Sequence, residues 1–237
     1  MNTRALLEQL LKSGQSLLQD RQGSKGAGLG DLLGAVKGKG GGLGGLLSGA
    51  GGGAMAASAM GMLMGSKKAR KYGGKALAYG GLAALGVLAY KALGNWQARQ
   101  GDVQRSEPQT LDRLPPAEVE EHSQAILRAL VAAAKSDGHV DERERTLIEG
   151  EFTRLGSDSE LQQWLHHELN KPLDPVEVAR AARTPEMAAE MYLASLMMVD
   201  QENFMERAYL DELARQLELE PGLRQELEAQ ASQALEQ

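Results

Sequence analysis

The chain has no cysteine and few aromatics, with two Trp, five Tyr and two Phe in 237 residues. The absence of cysteine excludes disulfides, thiolate nucleophiles and Cys-ligated zinc, and leaves the compartment open. With so few aromatics, any core must be built from Leu, Ala, Met and Val, which favours helices. Catalytic motifs are missing too. Neither G-x-S-x-G nor H-E-x-x-H occurs, so hydrolase chemistry lacks its usual parts. Phosphate loops fail on spacing. Gly28-Leu29-Gly30 begins a G-x-G-x-x-G, but the third glycine falls one place late at Gly34, and no strand precedes it. Gly38-Lys39 lacks the upstream Gly and the following Ser or Thr of a P-loop. Nucleotide binding is therefore not expected. Nor is a cleavable signal peptide, because Glu8, Lys12 and Asp20 interrupt the N-terminal apolar residues.

What is present divides into two halves of opposite charge. Residues 1–75 hold 11 Lys and Arg against 3 Asp and Glu; the rest hold 15 against 29, so a net +8 precedes a net −14. A basic segment facing an anionic surface, followed by a separate acidic domain, is the organisation this implies. Residues 1–21 read as an amphipathic helix, with Leu6, Leu7, Leu10, Leu11, Leu17 and Leu18 at helical spacing. Such a helix lies on a membrane or packs on a partner. Residues 22–71 are Gly-rich and basic, and most of this stretch is expected to be flexible. From Gly41 to Gly73 a small residue recurs at every fourth position, a small-xxx-small face that lets helices approach closely in lipid. Gly40 to Ser66 is uncharged, which makes it a candidate second membrane helix. The cluster Lys67, Lys68, Arg70, Lys71 suits anionic headgroups. It lacks the interleaved aromatics of a nucleic-acid surface, so no nucleic-acid partner is expected.

Residues 72–96 carry the most apolar stretch, with no charge from Ala76 to Tyr90. Lys75 and Lys91 can snorkel from either end, and Tyr72 and Trp96 are the types that settle at headgroup level. The segment is predicted to be a transmembrane helix, against the alternative of a buried helix in a protein core. Basic clusters are normally held on the cytoplasmic side. With a span after the cluster, residues 97–237 are expected on the far side, in the periplasm if this is a bacterial inner membrane.

Residues 97–116 are polar and carry Pro108, Pro115 and Pro116, the composition of a linker. Residues 117–237 show repeated helix starts. Ser157 with Glu160, Asp174 with Glu177, Asn203 with Glu206, and Asp141 with Glu144 have the spacing of capping pairs. Pro116, Pro175, Pro185 and Pro221 suit first helical positions. Apolar stripes follow each start: Leu147, Ile148, Phe152, Leu155; Leu161, Trp164, Leu165, Leu169; Met187, Met191, Ala194, Met198; Leu210, Leu213, Ala214, Leu217. The fold class predicted is all-α, a compact domain of seven helices without strands.

Two stretches in this domain look duplicated. Val131 to Asp137 ends one helix and Ala194 to Asp200 another, 63 residues apart, each followed by an acidic turn and a new helix. The run AAAKSDGHVDERE, the second acidic turn and the YLDELARQLEL helix resemble the TerB-like domain of tellurite-resistance proteins. With the Gly-rich basic N-terminal part and the apolar segment, the layout resembles the YebE group of bacterial inner-membrane proteins. The resemblance implies an all-helical domain with an acidic surface suspected of binding a divalent metal, and no established catalysis.

Asp137, Asp141 and Glu144, with Asp200 and Glu202, are the candidate metal ligands, since hard cations such as calcium, magnesium or manganese take clustered carboxylate oxygens. An EF-hand is excluded, because counting from Asp137 places His139, Arg143 and Ile148 at positions three, seven and twelve. The competing reading makes Asp141 and Glu144 a capping box alone. His166 and His167 are adjacent and point about 100° apart on a helix, so they do not chelate as a pair. The function expected is a membrane-anchored, non-enzymatic interaction module, with a protein partner or a second copy bound. The alternatives are a metal-dependent enzyme using the acidic turns and a structural oligomer built on the small-xxx-small face.

Overall fold

A computed structural model of the chain describes residues 3–5, 7, 8, 74–100, 107–138, 140, 142–154, 158–199 and 203–236. Eight helices with defined bounds run in order through it: α1 Gly74–Arg99, α2 Pro116–Ala134, α3 Glu142–Arg154, α4 Ser159–Asn170, α5 Pro175–Ala179, α6 Pro185–Met198, α7 Phe204–Gln216 and α8 Pro221–Glu236. No strand occurs among the described residues. The seven helices expected after residue 116 are the last seven of these.

Helix α6 lies at the centre. Every residue from Met187 to Val199 is buried, so it has no solvent face. A helix apolar on all sides must be covered on all sides. Helices α2, α1, α8 and α7 pack around it. The Met stripe expected at Met187, Met191, Ala194 and Met198 is therefore part of a fully enclosed cylinder. On the surrounding helices the stripes fall as their spacing implies: Ile126, Leu127 and Val131 on α2, Leu161, Leu165 and Leu169 on α4, Leu210 and Leu213 on α7, and Leu223 and Leu227 on α8 are all buried.

The segment 72–96 requires a correction. It forms most of α1, and α1 packs lengthwise against α8 and α6. Leu85, Ala89, Ala92 and Leu93 point into the common core, at spacings of four, three and one that make one helical stripe. No helix among the described residues is long and apolar enough to cross a membrane. Within the uncharged stretch from Ala76 to Tyr90, Leu85 and Ala89 are buried in protein and Val87 is exposed. Trp96 lies against Gly222 at the start of α8, where a Gly222 side-chain carbon would stand 3.3 Å from its ring. Tyr90 carries the Arg113 guanidinium 3.8 Å from its ring centre. Asn95 Nδ2 donates to Glu226 Oε1 at 2.7 Å, and Arg99 pairs with Glu226 Oε2 at 3.0 Å, which fixes α1 to α8 by polar contacts as well. The candidate second span, within 40–66, lies outside the described residues.

Residues 107–114 do not behave as a free linker. Pro108, Thr110 and Leu111 are buried. The Thr110 hydroxyl donates to Asp112 Oδ1 at 2.7 Å, and the Arg113 amide to the Thr110 carbonyl at 2.8 Å, closing a turn. That turn lies so close to α1 that a side-chain carbon at Gly86 would meet Asp112 Oδ1 at 2.5 Å and the Asp112 amide nitrogen at 2.9 Å. Gly86 is thus the close-approach point between strap and helix.

Helix ends follow familiar chemistry. Pro116, Pro175, Pro185 and Pro221 each open their helix. Asp174 and Asn203 accept from the amides of Val176 and Met205, each at 2.9 Å. Helix α4 is capped by Asp158, which accepts from the Leu161 amide at 2.8 Å, one place after the Ser157 expected from spacing. Thr184 caps α6 without a Glu three places on. Helix α7 ends with Glu218 at φ 53°, and the Leu219 and Glu218 amides reach back to Ala214 and Arg215, a Schellman closure that usually takes glycine.

The described N-terminal residues 3–5, 7 and 8 dock on this domain. The Thr3 amide donates to Glu120 Oε1 at 2.7 Å and the Arg4 amide to Glu120 Oε2 at 3.3 Å, so a carboxylate on α2 satisfies the open amides of the segment. Thr3 and Leu7 are fully buried. Of the two roles open to the N-terminal amphipathic stretch, these residues pack on protein; residues 9–21 lie outside the described residues.

If α1 belongs to the core, truncating it must cost what a core truncation costs. Leu93→Ala is expected to lower unfolding stability by about 2–5 kcal/mol, measured by urea denaturation. A change below about 0.5 kcal/mol, the usual surface value, would place α1 outside the cooperative unit.

Candidate functional site

Described residues of the two duplicated stretches meet at one end of the domain. After α2, the amides of Ser136 and Gly138 reach back to Ala133 and Lys135 in successive tight turns. Gly138 has φ +126°, a conformation that side chains disfavour, so glycine is required there. On the second copy, the Val199 amide closes α6 on Ser195, and Asn203 caps α7 while its Nδ2 donates to Glu206 Oε1 at 3.3 Å. Met205 joins the copies, its Cε lying 3.4 Å from the place of a Gly138 side-chain carbon. Beside this contact Phe204 is 78% exposed and Met205 52% exposed, the two most exposed large apolar side chains among the described residues. Sequence reading passed over this pair, although Phe204 stands where the first copy has Asp141, and an aromatic in an acidic turn was the available signal.

The candidate metal ligands are placed only in part. Asp137 is exposed in the first turn. Glu144 lies on α3, with its side chain outside the described residues, as are Asp141, Asp200 and Glu202 altogether. Among the described residues, no three His, Asp or Glu side chains converge as metal ligands would. His166 stands on the surface of α4, with Nδ1 2.8 Å from Glu149 Oε1 of α3.

A different constellation is buried between α2 and α6. His122 Nδ1 lies 2.9 Å from Glu190 Oε2, and the Leu111 amide donates to Glu190 Oε1 at 2.5 Å. Glu190 is wholly buried and His122 nearly so. Burial pushes the Glu190 carboxyl above the usual carboxylate range, opposed by the His122 and Leu111 hydrogen bonds. A His–Glu pair is a familiar acid–base device, but a substrate cannot reach this one. The 107–114 strap closes over it and takes one of the carboxylate oxygens, so the pair clamps strap, α2 and α6 together.

A second polar network ties α2, α4 and α5. Lys135 Nζ donates to the carbonyls of Glu168, at 2.8 Å, and Lys171, placing a cation at the C-terminal end of α4. Burial comes first in holding the Lys135 pKa below the usual lysine range. Glu168, buried, pairs with Lys171 at 2.8 Å and Arg128 at 3.4 Å, and Lys171 also reaches Glu177 at 2.6 Å. Lys135 belongs to the AAAKSDG run, yet its partners stand more than 30 positions away, so sequence spacing held no sign of its role.

A family model described as a protein of unknown function (DUF533) matches residues 49–231. An uncharacterized protein in the ampR 5' region of Yersinia enterocolitica is 33% identical over 124 residues, covering 52% of this chain and 88% of that protein. No solved structure matches the chain.

The raised Glu190 pKa has a pH consequence with a definite sign. The fold favours the neutral acid, so this contribution is full below the unfolded pKa of about 4.3 and is lost as pH rises through the folded value. Glu190→Gln keeps the size and an acceptor for Leu111. Its stability relative to the wild type is expected to rise between about pH 4 and about pH 8 in urea denaturation. A pH-independent difference would show that Glu190 carries no burial penalty.

Proposed function

The chain belongs to the DUF533 family, TerB-like in its helical domain, and from that premise we propose that it is a non-catalytic interaction module whose docking surface is the end where the two turns meet. The observation that carries this reading is the Phe204–Met205 pair, an adjacent aromatic and methionine left open at the start of α7 beside a turn that ends in exposed Asp137. Buried apolar anchors supply most of an interface's affinity, and charge around them selects the partner. The partner that fits is a protein surface offering a shallow apolar recess edged with Lys or Arg. The closed His122–Glu190 pair supports binding over catalysis, since the best acid–base pair of the domain is spent on holding it together.

A narrower form of this reading assigns a divalent cation to the same end, held by Asp137, Asp141 and Glu144 with Asp200 and Glu202. The Gly138–Met205 contact favours it, because it joins described residues that adjoin the two acidic stretches in sequence. Calorimetric titration with calcium, magnesium and manganese is expected to give heat that vanishes in Asp137→Asn with Asp141→Asn. No heat from any of the three removes the cation and leaves the protein partner.

We further propose attachment to a bacterial inner membrane through residues 9–71, supported by their net positive charge and the period-four small residues after Gly41. With α1 packed in the domain, no span separates the basic cluster at 67–71 from it. The tendency of such clusters to stay in the cytoplasm then keeps the domain there as well.

A photo-crosslinking residue at position 204 is expected to give one discrete adduct in cells, and the same residue at Gln163, exposed on α4, none. Met205→Asp is expected to abolish the adduct at 204 with the melting temperature unchanged. Equal labelling at both positions would reject the docking surface.

A further inference from the structure

A pocket of about 310 Å³ opens away from the turns, among the N-terminal segment, α2, α4 and α5. Its size falls at the small end of ligand sites. One wall is apolar, with Ala125, Leu161 and the half-buried Trp164. Three of its lining residues carry side-chain hydrogen-bond donors with no partner among the described residues. The Thr3 hydroxyl is fully buried and unbonded, an expensive state for a hydroxyl. The Trp164 indole N–H and the Arg180 guanidinium make no hydrogen bond or ion pair with a described residue. The carboxylates lining the same pocket are already engaged: Glu121 pairs with Arg183 at 3.5 Å and Glu177 with Lys171 at 2.6 Å. Arg128 adds a further cation, and its partner Glu168 is shared with Lys171. The uncompensated charge of the pocket is therefore positive, and it lies beside an apolar wall.

We propose that this pocket binds a small organic oxyanion, a flat apolar body carrying a phosphate or carboxylate head. The head lies between Arg180 and Arg128 and takes the Thr3 hydroxyl hydrogen; the body lies along Trp164. The N-terminal segment completes the site, because Glu120 holds the Thr3 and Arg4 amides and so sets Thr3 in the wall. The arrangement follows the general preference of arginine for oxyanions.

Calorimetric titration of the full chain with phenyl phosphate, followed in parallel by tryptophan emission, tests this. Saturable binding with a change in emission is expected, with inorganic phosphate competing. Phenol, the same body without the charge, is expected not to saturate. Arg180 is exposed, so Arg180→Gln leaves the fold intact and is expected to weaken binding about tenfold or more. Glu120→Ala, which frees the N-terminal segment without touching the pocket's cations, is expected to weaken it as well. No saturable binding, equal binding of phenol, or full affinity in Arg180→Gln would each overturn the proposal.

Discussion

A helix with no exposed face sets the terms for this fold. From Met187 to Val199 every residue of α6 and its C-cap is buried, and such a helix is stable only when neighbours exclude water on every side. Helix α2 covers one side and α7 and α8 cover others; the remaining side falls to α1. That requirement explains the composition of α1. To lie against both α6 and α8, it needs small residues where backbones approach and larger apolar ones between, and Ala89 and Ala92 with Leu85 and Leu93 answer this. Its apolar character is the complement of α6.

Enclosing a helix that carries a carboxylate creates a second requirement. Glu190 is the one charged residue between Met187 and Val199, and it faces the 107–114 strap and α2. An unpaired buried carboxyl is costly, so its two oxygens must find donors. His122 and the Leu111 amide supply them. The strap is thereby fixed over the core, and Gly86 allows it to come close to α1. Strap, α2 and α6 are held at one point by one acidic side chain. At the far end of α2 and α6, Phe204 and Met205 stand exposed.

Much of this was legible in the sequence. The seven helices after residue 116 follow from proline at first positions, capping residues and apolar spacing, all of which act within one or two turns of helix. The duplication was visible as a 63-residue offset, and the Gly138–Met205 contact shows the two copies side by side. The role of residues 72–96 was not legible, because a stripe of Leu and Ala with flanking Lys and aromatic residues suits lipid and protein cores alike. The available sign lay elsewhere: MAAEMYLASLMMV at 187–199 has too many apolar faces for its own domain to cover without another helix. The His122–Glu190 clamp and the Lys135 contacts join residues 33 to 68 apart and leave no local pattern. Of the five carboxylates proposed as metal ligands, Asp137 alone has a described side chain, and it is exposed.

Amide hydrogen exchange of the full chain, in buffer without detergent or lipid, tests the central claim that α1 is the last wall around α6. If the claim holds, amides from Leu85 to Leu93 exchange only through global unfolding, with the same protection and the same urea dependence as those from Met191 to Leu196. Exchange across α1 that is faster, and insensitive to urea while α6 stays protected, would contradict it.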